Sequence, residues 1–283
     1  MAAHASQLCP VQDPSALLKF FFALYVHWLS RSTRIEPITI LSPEESTAVT
    51  DVPGMARAWD AARDTADLFP VLNPARPMVN AAHTVGRSGL QLFYKELRRA
   101  HLLLQDSSAT ANTPPYQQLW RPYNLLQEYR YFVGVHIASV HESPTTCESI
   151  LNAWKGFIES KLRIFIYALE GMAEVRPFPQ PVADKPNTAV VEQGITLLQS
   201  SRAFFFGVRR GDTEVKRSIF AGAIKEFEFA VEEGTAPRHG FVRDVAAMRG
   251  PWFSFFSKDE AAAPGSALYA LQVACAEAMS DEL

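Results

Sequence analysis

Apolar residues recur at a helical period in the first third of the chain, and helical and two-residue periods alternate after residue 115. The strongest apolar run is Leu17–Leu29. Asp13 suits a helix cap and Pro14 a first helical position, so we predict a helix over this run. Because nearly every side of that helix is apolar, we expect neighbouring elements to bury it.

Two further helices are predicted from apolar stripes at helical spacing, over Met55–Leu68 and Gly86–Leu104. Prolines interrupt residues 31–53 and 70–80, which predicts irregular loops. Residues 106–115 are polar and show no periodicity, so we interpret them as a linker between two units.

The second unit is predicted to combine strands and helices. A two-residue alternation over Tyr129–Ala138 predicts a strand, and an apolar stripe predicts a helix from Thr145 or Thr146 to about Glu170. The remaining predicted elements are a strand at 174–178, a strand at 202–209, a helix at 212–232 and a strand at 239–248. This β-α-β-β-α-β order is the split pattern of ferredoxin-like and RNA-recognition folds. The predicted class is therefore α+β, a partly helical region followed by a domain with an antiparallel sheet.

Composition and charge narrow the class of protein. The chain has 283 residues, of which 48% are hydrophobic and 20% charged, as is typical of a folded globular protein. Its net charge is -3 and its pI about 6.2, so any contact with nucleic acid requires a local basic patch. Cys9, Cys147 and Cys275 are far apart, which favours a reducing compartment over a disulfide scaffold. The run Leu17–Leu29 is too short to span a bilayer, so we expect no membrane partner.

Two stretches of the second unit carry a family resemblance. Leu119–Tyr129 reads L-W-R-P-Y-N-L-L-Q-E-Y, and Trp154–Ile164 reads W-K-G-F-I-E-S-K-L-R-I. In this order they resemble the start of the C-terminal RNA-binding domain of eukaryotic poly(A) polymerases. There, a W-x-x-L-F-x-x-x-N-F-F-x-x-Y-x-x-Y stretch precedes a helix that carries E-S-K-[IL]-R-[IL].

The first unit resembles the central domain of the same family, which reads M-P-[IV]-I-T-P-A-Y-P-x-x-N-S-[ST]-Y-N-V. The matching residues are Pro70, Pro74, Ala75, Pro77, Asn80 and Val85, whereas Arg76 and His83 replace the family's tyrosines. The resemblance implies a partial central helical domain over 1–105, a linker over 106–115, an RNA-binding domain over 116–250 and a C-terminal tail over 251–283.

The resemblance implies a role in mRNA 3′-end polyadenylation, with RNA as the partner and the nucleus as the location. In the family, a preceding nucleotidyltransferase domain carries G-S-x-x-x-G and D-h-D, whose carboxylates hold the Mg²⁺ or Mn²⁺ ions that act on ATP. The sequence does not contain that pattern. Glu226-Phe227-Glu228 falls in a predicted helix, and the only Gly-Ser step, Gly265-Ser266, follows it. We therefore expect this chain to bind no cofactor and to be inactive by itself.

Three interpretations stay open. The chain is the central and RNA-binding portion of a poly(A) polymerase, a free-standing RNA-binding or scaffold module that docks to a catalytic or processing-complex subunit, or an intact enzyme with an unrecognised site. The missing carboxylate pattern counts against the third. A transcript that continues upstream of Met1 into the catalytic motifs would favour the first over the second.

Basic residues supply the candidate RNA contacts. Arg202, Arg209 and Arg210 surround the end of a predicted strand, and Lys161 and Arg163 fall within the helix that matches the family. Positioned positive charge is sufficient to hold a single strand weakly and without sequence preference. The alternatives are an ordinary charged surface and, for Arg163, an ion pair with the glutamate four residues before it.

Two other patterns have competing explanations. Phe204-Phe205-Phe206 resembles the aromatic strand of an RNA-recognition motif, whose rings stack on bases, but we expect two of the three rings to lie in the core. His136, His141 and Cys147 are close in sequence, as zinc ligands would be. Because no fourth ligand follows at a finger-like spacing, structural roles are favoured over zinc.

Overall fold

The chain divides into two compact units, an N-terminal unit of Met1–Arg121 and a C-terminal unit of Pro122–Leu283. The computed structural model describes residues 1–10, 13–31, 36–40, 57–75, 77–105, 118–120, 124–183, 188–192, 194–210, 217–235, 247–257 and 273. The predicted linker, residues 106–115, lies outside this set. No helix in the described ranges combines the length and the hydropathy that a membrane span requires.

Helices dominate the described part of the N-terminal unit: α1 (Ala2–Leu8), α2 (Pro14–Ser30) and α3 (Arg87–Gln105). The predicted start of α2 is confirmed, because the Asp13 carboxylate accepts a hydrogen bond from the Ala16 amide at 2.8 Å. Such a cap satisfies one of the amides that a helix leaves open at its first turn. The predicted third helix is confirmed as α3.

An aromatic row joins α2 to α3 and forms the core of the N-terminal unit. Trp28 of α2 packs edge-on against Phe69 with ring centroids 5.4 Å apart, and Phe69 packs against Phe93 of α3 at 5.2 Å. Tyr25 is fully buried and its hydroxyl donates to the Met1 carbonyl at 2.8 Å. Tyr25 is the one fully buried residue of α2, and the other apolar side chains of this helix pack around the core while partly exposed.

The helix predicted over Met55–Leu68 is wrong. Residues 57–68 contain turns at 61–63 and 65–66 and no helix, and residues 51–56 lie outside the described ranges. Asp60 Oδ1 accepts from the Ala62 and Arg63 amides at 2.7 and 3.0 Å, and the Asp64 carboxylate accepts from the Asp60 amide at 2.8 Å. Short acidic side chains thus occupy the backbone donors that a helix would need, which overrides the apolar stripe.

The proline-containing loop at 70–80 is irregular, as predicted, and Asn80 organises it. Its side-chain oxygen accepts from the Val71 and Ala82 amides, each at 2.9 Å, and its side-chain nitrogen donates to Asp67 at 2.8 Å. Asn80 is only 5% exposed, so these bonds satisfy a polar group that would otherwise be costly to bury.

Strands and helices alternate in the C-terminal unit, and the predicted α+β class and β-α-β-β-α-β order are confirmed, with two short strands in addition. The elements are α4 (Leu125–Glu128), β1 (Tyr131–His141), α5 (Pro144–Leu169), β2 (Ala173–Pro177), β3 (Val182–Ala183), β4 (Thr188–Glu192), β5 (Ile195–Arg210), α6 (Arg217–Thr235) and β6 (Met248–Ser257).

The sheet is antiparallel and runs in the order β2-β5-β1-β6, and β3 and β4 also pair with β5. Strand β5 lies between β1 and β2, and β1 lies between β5 and β6. Strand β5 therefore splits the β1-α5-β2 unit, and β1 splits the β5-α6-β6 unit, as the predicted order requires.

Two strands differ from their predicted positions. The last strand is Met248–Ser257, whereas we predicted one at 239–248, most of which lies outside the described ranges. It extends into the segment that we assigned to the tail. Strand β5 begins at Ile195, seven residues before the predicted start at Arg202.

The two faces of the sheet bury different sets of side chains. On the helix face, Val135 and Phe206 pack against α5 and α6. On the other face, which we call the α4 face, Phe132 and Phe205 pack against Leu125 of α4. All three rings of Phe204-Phe205-Phe206 are buried, at 6%, 1% and 1% exposure, so our expectation of two buried rings was too low. Burial excludes base stacking by these three phenylalanines.

Candidate nucleic-acid interface

The five predicted RNA contacts come from two elements of the C-terminal unit. Helix α5 carries Lys161 and Arg163, and strand β5 carries Arg202, Arg209 and Arg210. The side chain of Arg210 is outside the described part of the chain, so only its backbone, paired with Ala173 of β2, is placed. The other four side chains have distinct surroundings.

Arg202 is part of an ion pair at the first turns of α5. Its guanidinium donates to Glu148 Oε1 at 2.5 Å, and its side chain is 20% exposed. The backbone of Arg202 pairs with Ile137 of β1, in the centre of the sheet. This arginine therefore fixes the start of α5 against β5 and presents little surface to a ligand.

Arg209 belongs to a polar cluster at the end of β5. Its guanidinium lies 4.9 Å above the Tyr129 ring, donates to the Glu128 carbonyl at 3.1 Å, and stands 3.6 Å from Glu174 Oε1. The Tyr129 hydroxyl donates to the same Glu174 oxygen at 2.5 Å. Burial, and then this bond to Glu174, raise the pKa of Tyr129 above its ordinary value. With 46% of its side chain exposed, Arg209 is held in place and remains accessible.

Arg202 and Arg209 do not form one patch. They are seven residues apart on one strand, which is about 23 Å at an ordinary strand rise. Because the interval is odd, their side chains also leave opposite faces of the sheet. The structure separates two of the predicted contacts that sequence proximity had grouped.

Arg163 is exposed on α5, whereas Lys161 is half-buried. The Lys161 ammonium lies 5.5 Å from the centre of the Phe157 ring, and its stem packs beside Gly234 of α6. Two residues apart on a helix, the two side chains point about 200° from one another. No ion pair joins Glu159 to Arg163 along α5, every residue of which is described.

The end of β5 gathers more arginines than the sequence indicated. Four of them lie at this end of the sheet by strand register, and we call them the arginine end: Arg130, Arg176, Arg209 and Arg210. Arg163 is exposed on α5 and is not counted among them. Arg176 of β2 lies opposite Gly207 of β5 and stands 3.8 Å from Glu128. Arg130 directly precedes β1, whose first residue pairs with Val208. Sequence reasoning missed Arg130 and Arg176, although the predicted strand order would have brought both to the end of β5.

The carboxylate pair Glu226 and Glu228 does not form a metal site. Both residues lie on α6, with Phe227 fully buried between them, so their carboxylates leave the helix on different sides. Cys147 is buried at the start of α5 and its thiol donates to the Ser139 carbonyl at 3.3 Å. Across the described ranges, no three His, Cys, Asp or Glu side chains come together as a ligand set, so these residues do not fit the two-metal centre that adenylyl transfer needs.

Comparisons with known proteins point to one family. Residues 1–122 match the family model for the poly(A) polymerase central domain. Nuclear poly(A) polymerase 4 of Arabidopsis thaliana is 26% identical over 238 residues, which cover 80% of this chain and 28% of that protein. Poly(A) polymerase PAPalpha of Candida albicans is 28% identical over 195 residues, covering 68% and 32%. Poly(A) polymerase of Dictyostelium discoideum is 26% identical over 183 residues, covering 64% and 20%.

The similarity therefore extends beyond the N-terminal unit, because the longest of these three matches is about twice the length of the family model's match. The chain spans a third or less of the length of each of these three relatives.

Proposed function

We propose that this chain, whose residues 1–122 match the family model for the poly(A) polymerase central domain, is the RNA-holding portion of a eukaryotic poly(A)-polymerase-like protein in mRNA 3′-end polyadenylation. The observation that carries the proposal is the similarity itself, which covers the central domain and continues through most of the C-terminal unit. A nuclear location is part of the proposal and is supported by the name of one relative, nuclear poly(A) polymerase 4.

The arginine end is the surface on which we place the RNA. It brings four arginines together in a chain of net charge -3, with the carboxylates of Glu128 and Glu174 beside Arg176 and Arg209. Tyr129 and Glu174 hold Arg209 in one orientation, which lowers the entropy lost when a phosphate binds. Arg210 is the other predicted contact at this end and Arg163 is exposed on α5, whereas Lys161 and Arg202 occupy half-buried positions that stabilise α5.

ATP and the Mg²⁺ or Mn²⁺ ions belong, in this proposal, to a nucleotidyltransferase domain or subunit that works with these residues. The support is that, among the residues the structure describes, no carboxylates converge on a two-metal site. In a primer-extension assay with oligo(A), ATP and either metal ion, the purified chain is expected to leave the primer unextended. Steady tail growth by the chain by itself would contradict this part of the proposal.

RNA binding is tested by the salt dependence of affinity for a labelled oligo(A) strand, measured by fluorescence anisotropy. Each phosphate contact on a single strand contributes about -0.7 to the slope of log affinity against log salt. Replacing Arg209 and Arg210 together by alanine should flatten the slope by up to about 1.4.

Lys225→Ala is the control, because Lys225 is exposed on α6 and is not part of the arginine end. This substitution should change the slope of log affinity against log salt by less than about 0.7, the contribution of one phosphate contact. Wild-type binding that does not respond to salt, or an unchanged slope in the double variant, would contradict the arginine end as the RNA surface.

A further inference from the structure

A single large aromatic side chain of the α4 face remains substantially exposed among the described residues, that of Trp252. The rings of Phe132 and Phe205 on this face are each 1% exposed, beneath α4 and Phe256, whereas Trp252 is 40% exposed. It lies on β6, the edge strand of the sheet, directly opposite His136 of β1. The centre of this face is closed, and its edge presents an indole.

The indole is held in position by its neighbours. Its ring lies parallel to the His136 imidazole, with centroids 5.6 Å apart and an interplanar angle of 11°. His136 Nε2 is 2.7 Å from Ser254 Oγ, and the same imidazole meets the Phe205 ring edge-on at 6.1 Å. His136 is 3% exposed, so Trp252 rests on a buried, hydrogen-bonded support.

Two glycines make room for this stack. A Cβ atom at Gly134 would stand 2.6 Å from Ser254 Oγ and 2.8 Å from His136 Nε2. A Cβ atom at Gly250 would stand 2.7 Å from the Trp252 ring and 2.8 Å from the His136 carbonyl, and Gly250 has a φ of +87° that favours glycine. The imidazole and the indole can approach their strands closely because both positions lack a side chain.

A rigid aromatic ring with one face supported and much of its surface exposed has the properties of a stacking platform. Every nucleobase offers a flat π-face, so single-stranded RNA is commonly bound by such rings without sequence preference. We propose that Trp252 stacks on a base of single-stranded RNA, a contact that rests on the RNA-binding function proposed above. The position differs from Phe204-Phe205-Phe206, the aromatic strand that the sequence singled out and that the fold buries.

The test compares Trp252→Leu with the unmodified chain on two labelled strands, an oligo(A) and an abasic strand of equal length. Leucine keeps apolar bulk and removes the ring. Loss of one stacked base should weaken oligo(A) binding by about 5- to 150-fold. Affinity for the abasic strand should not change, and the salt slope on oligo(A) should also be unchanged, because no phosphate contact is removed.

Trp252→Phe keeps a smaller ring and should give an intermediate affinity for oligo(A). Trp120→Leu is the matched control, since Trp120 is a tryptophan of the N-terminal unit that is 71% exposed, and it should bind both strands like the unmodified chain. In the unmodified chain, oligo(A) but not the abasic strand should quench tryptophan fluorescence, and Trp252→Phe should remove most of that quenching.

The outcomes separate this inference from the proposed function. If the unmodified chain binds neither strand, both are overturned. If it binds oligo(A) and Trp252→Leu binds equally well, only the stacking role is overturned, and a protein contact at Trp252 is favoured. An equal loss on both strands, or quenching that persists in Trp252→Phe, also overturns the stacking role.

Discussion

The two faces of the C-terminal sheet are closed by different means. The helix face is covered by α5 of 26 residues and α6 of 19, which bury a continuous apolar core. The α4 face is covered by a helix of four residues and the Tyr129 ring, and Val182 of the sheet strand β3 packs into the same cluster. The helix face depends on apolar area, whereas the α4 face depends on close fits. The proposed RNA contacts Arg209 and Trp252 stand on the α4 face, which has less cover.

The α4 face also holds polar groups that depend on one specific partner each. On the α4 face, His136 is bonded to Ser254, and Tyr129 is bonded to Glu174 beside Arg209. Each of these groups is stabilised by a specific partner, and moving the partner leaves a buried polar atom without a bond. Changes on the helix face should therefore cost stability in proportion to the volume lost, and changes on the α4 face in proportion to the displacement of a neighbour.

The largest effect is expected at Phe165, at the centre of the helix face. Its ring is fully buried and lies within 6.1 Å, centroid to centroid, of four rings, those of Phe206, Phe220, Phe227 and Phe253. Phe165→Ala should lower the free energy of unfolding by about 3–5 kcal/mol, measured by urea denaturation. Phe229→Ala, at a ring that is 62% exposed on α6, is the control and should change it by about 0.5 kcal/mol or less. Similar losses in both variants would contradict the helix face as the main core.

Next in size is a glycine substitution on the α4 face. A Cβ atom at Gly207 would stand 2.5 Å from Tyr129 Cγ and 3.0 Å from Leu125 Cδ1, so Gly207→Ala must displace Tyr129 or α4. We expect a loss of about 1–3 kcal/mol in the free energy of unfolding. Gly156→Ala is the matched control, because nothing lies within 4 Å of a Cβ atom there. Alanine is the better helix former, so this exposed position on α5 should gain about 0.5–1 kcal/mol. Equal signs for the two substitutions would contradict the close fit at Gly207.

The helix face was largely predictable from the sequence. The stripe that predicted a helix ending near Glu170 is the buried side of α5, and its residues, such as Trp154 and Phe165, pack on the sheet as the period requires. The failure at Met55–Leu68 shows the limit of periodicity. There, Asp60 and Asp64 provide local hydrogen bonds that compete with the helix, and an apolar stripe gives no information about such a competition.

The α4 face and the candidate site were predictable only in part. Strand β6 does alternate, with Phe253 towards the helix face and Trp252 and Ser254 towards the α4 face, but Pro251 made the segment an unpromising strand. The partners of Arg209 are Glu128, 81 residues away, and Glu174. Such contacts depend on strand register, which short-range patterns do not determine. RNA binding by the five predicted residues stays a prediction.

A smaller effect, with a pH signature, is expected for the Tyr129 hydroxyl. Tyr129→Phe should lower the free energy of unfolding by about 1.5 kcal/mol near neutral pH, because a bond to a carboxylate is lost. The folded pKa of Tyr129 is raised, so its contribution is complete below the unfolded value of about 10 and is lost as pH rises above it. Between about pH 9 and 11, the unmodified protein should therefore lose more stability than Tyr129→Phe. Parallel pH profiles, from denaturation at several pH values, would exclude a raised pKa at this residue.

The smallest effect is expected for the Arg202–Glu148 ion pair, which lies beside the helix face and tests whether a charge pair matters there as it does on the α4 face. The side chains are 20% and 40% exposed, so solvent screens much of their attraction even at 2.5 Å. A double-mutant cycle with Arg202→Met and Glu148→Gln should give a coupling free energy of about 1 kcal/mol or less at low salt. The coupling should shrink in about 1 M NaCl, where the Debye length is about 3 Å. A coupling free energy above about 2 kcal/mol that persists in high salt would show that this pair is as tightly integrated as the Tyr129 cluster. The two faces would then differ in their packing and not in their polar contacts.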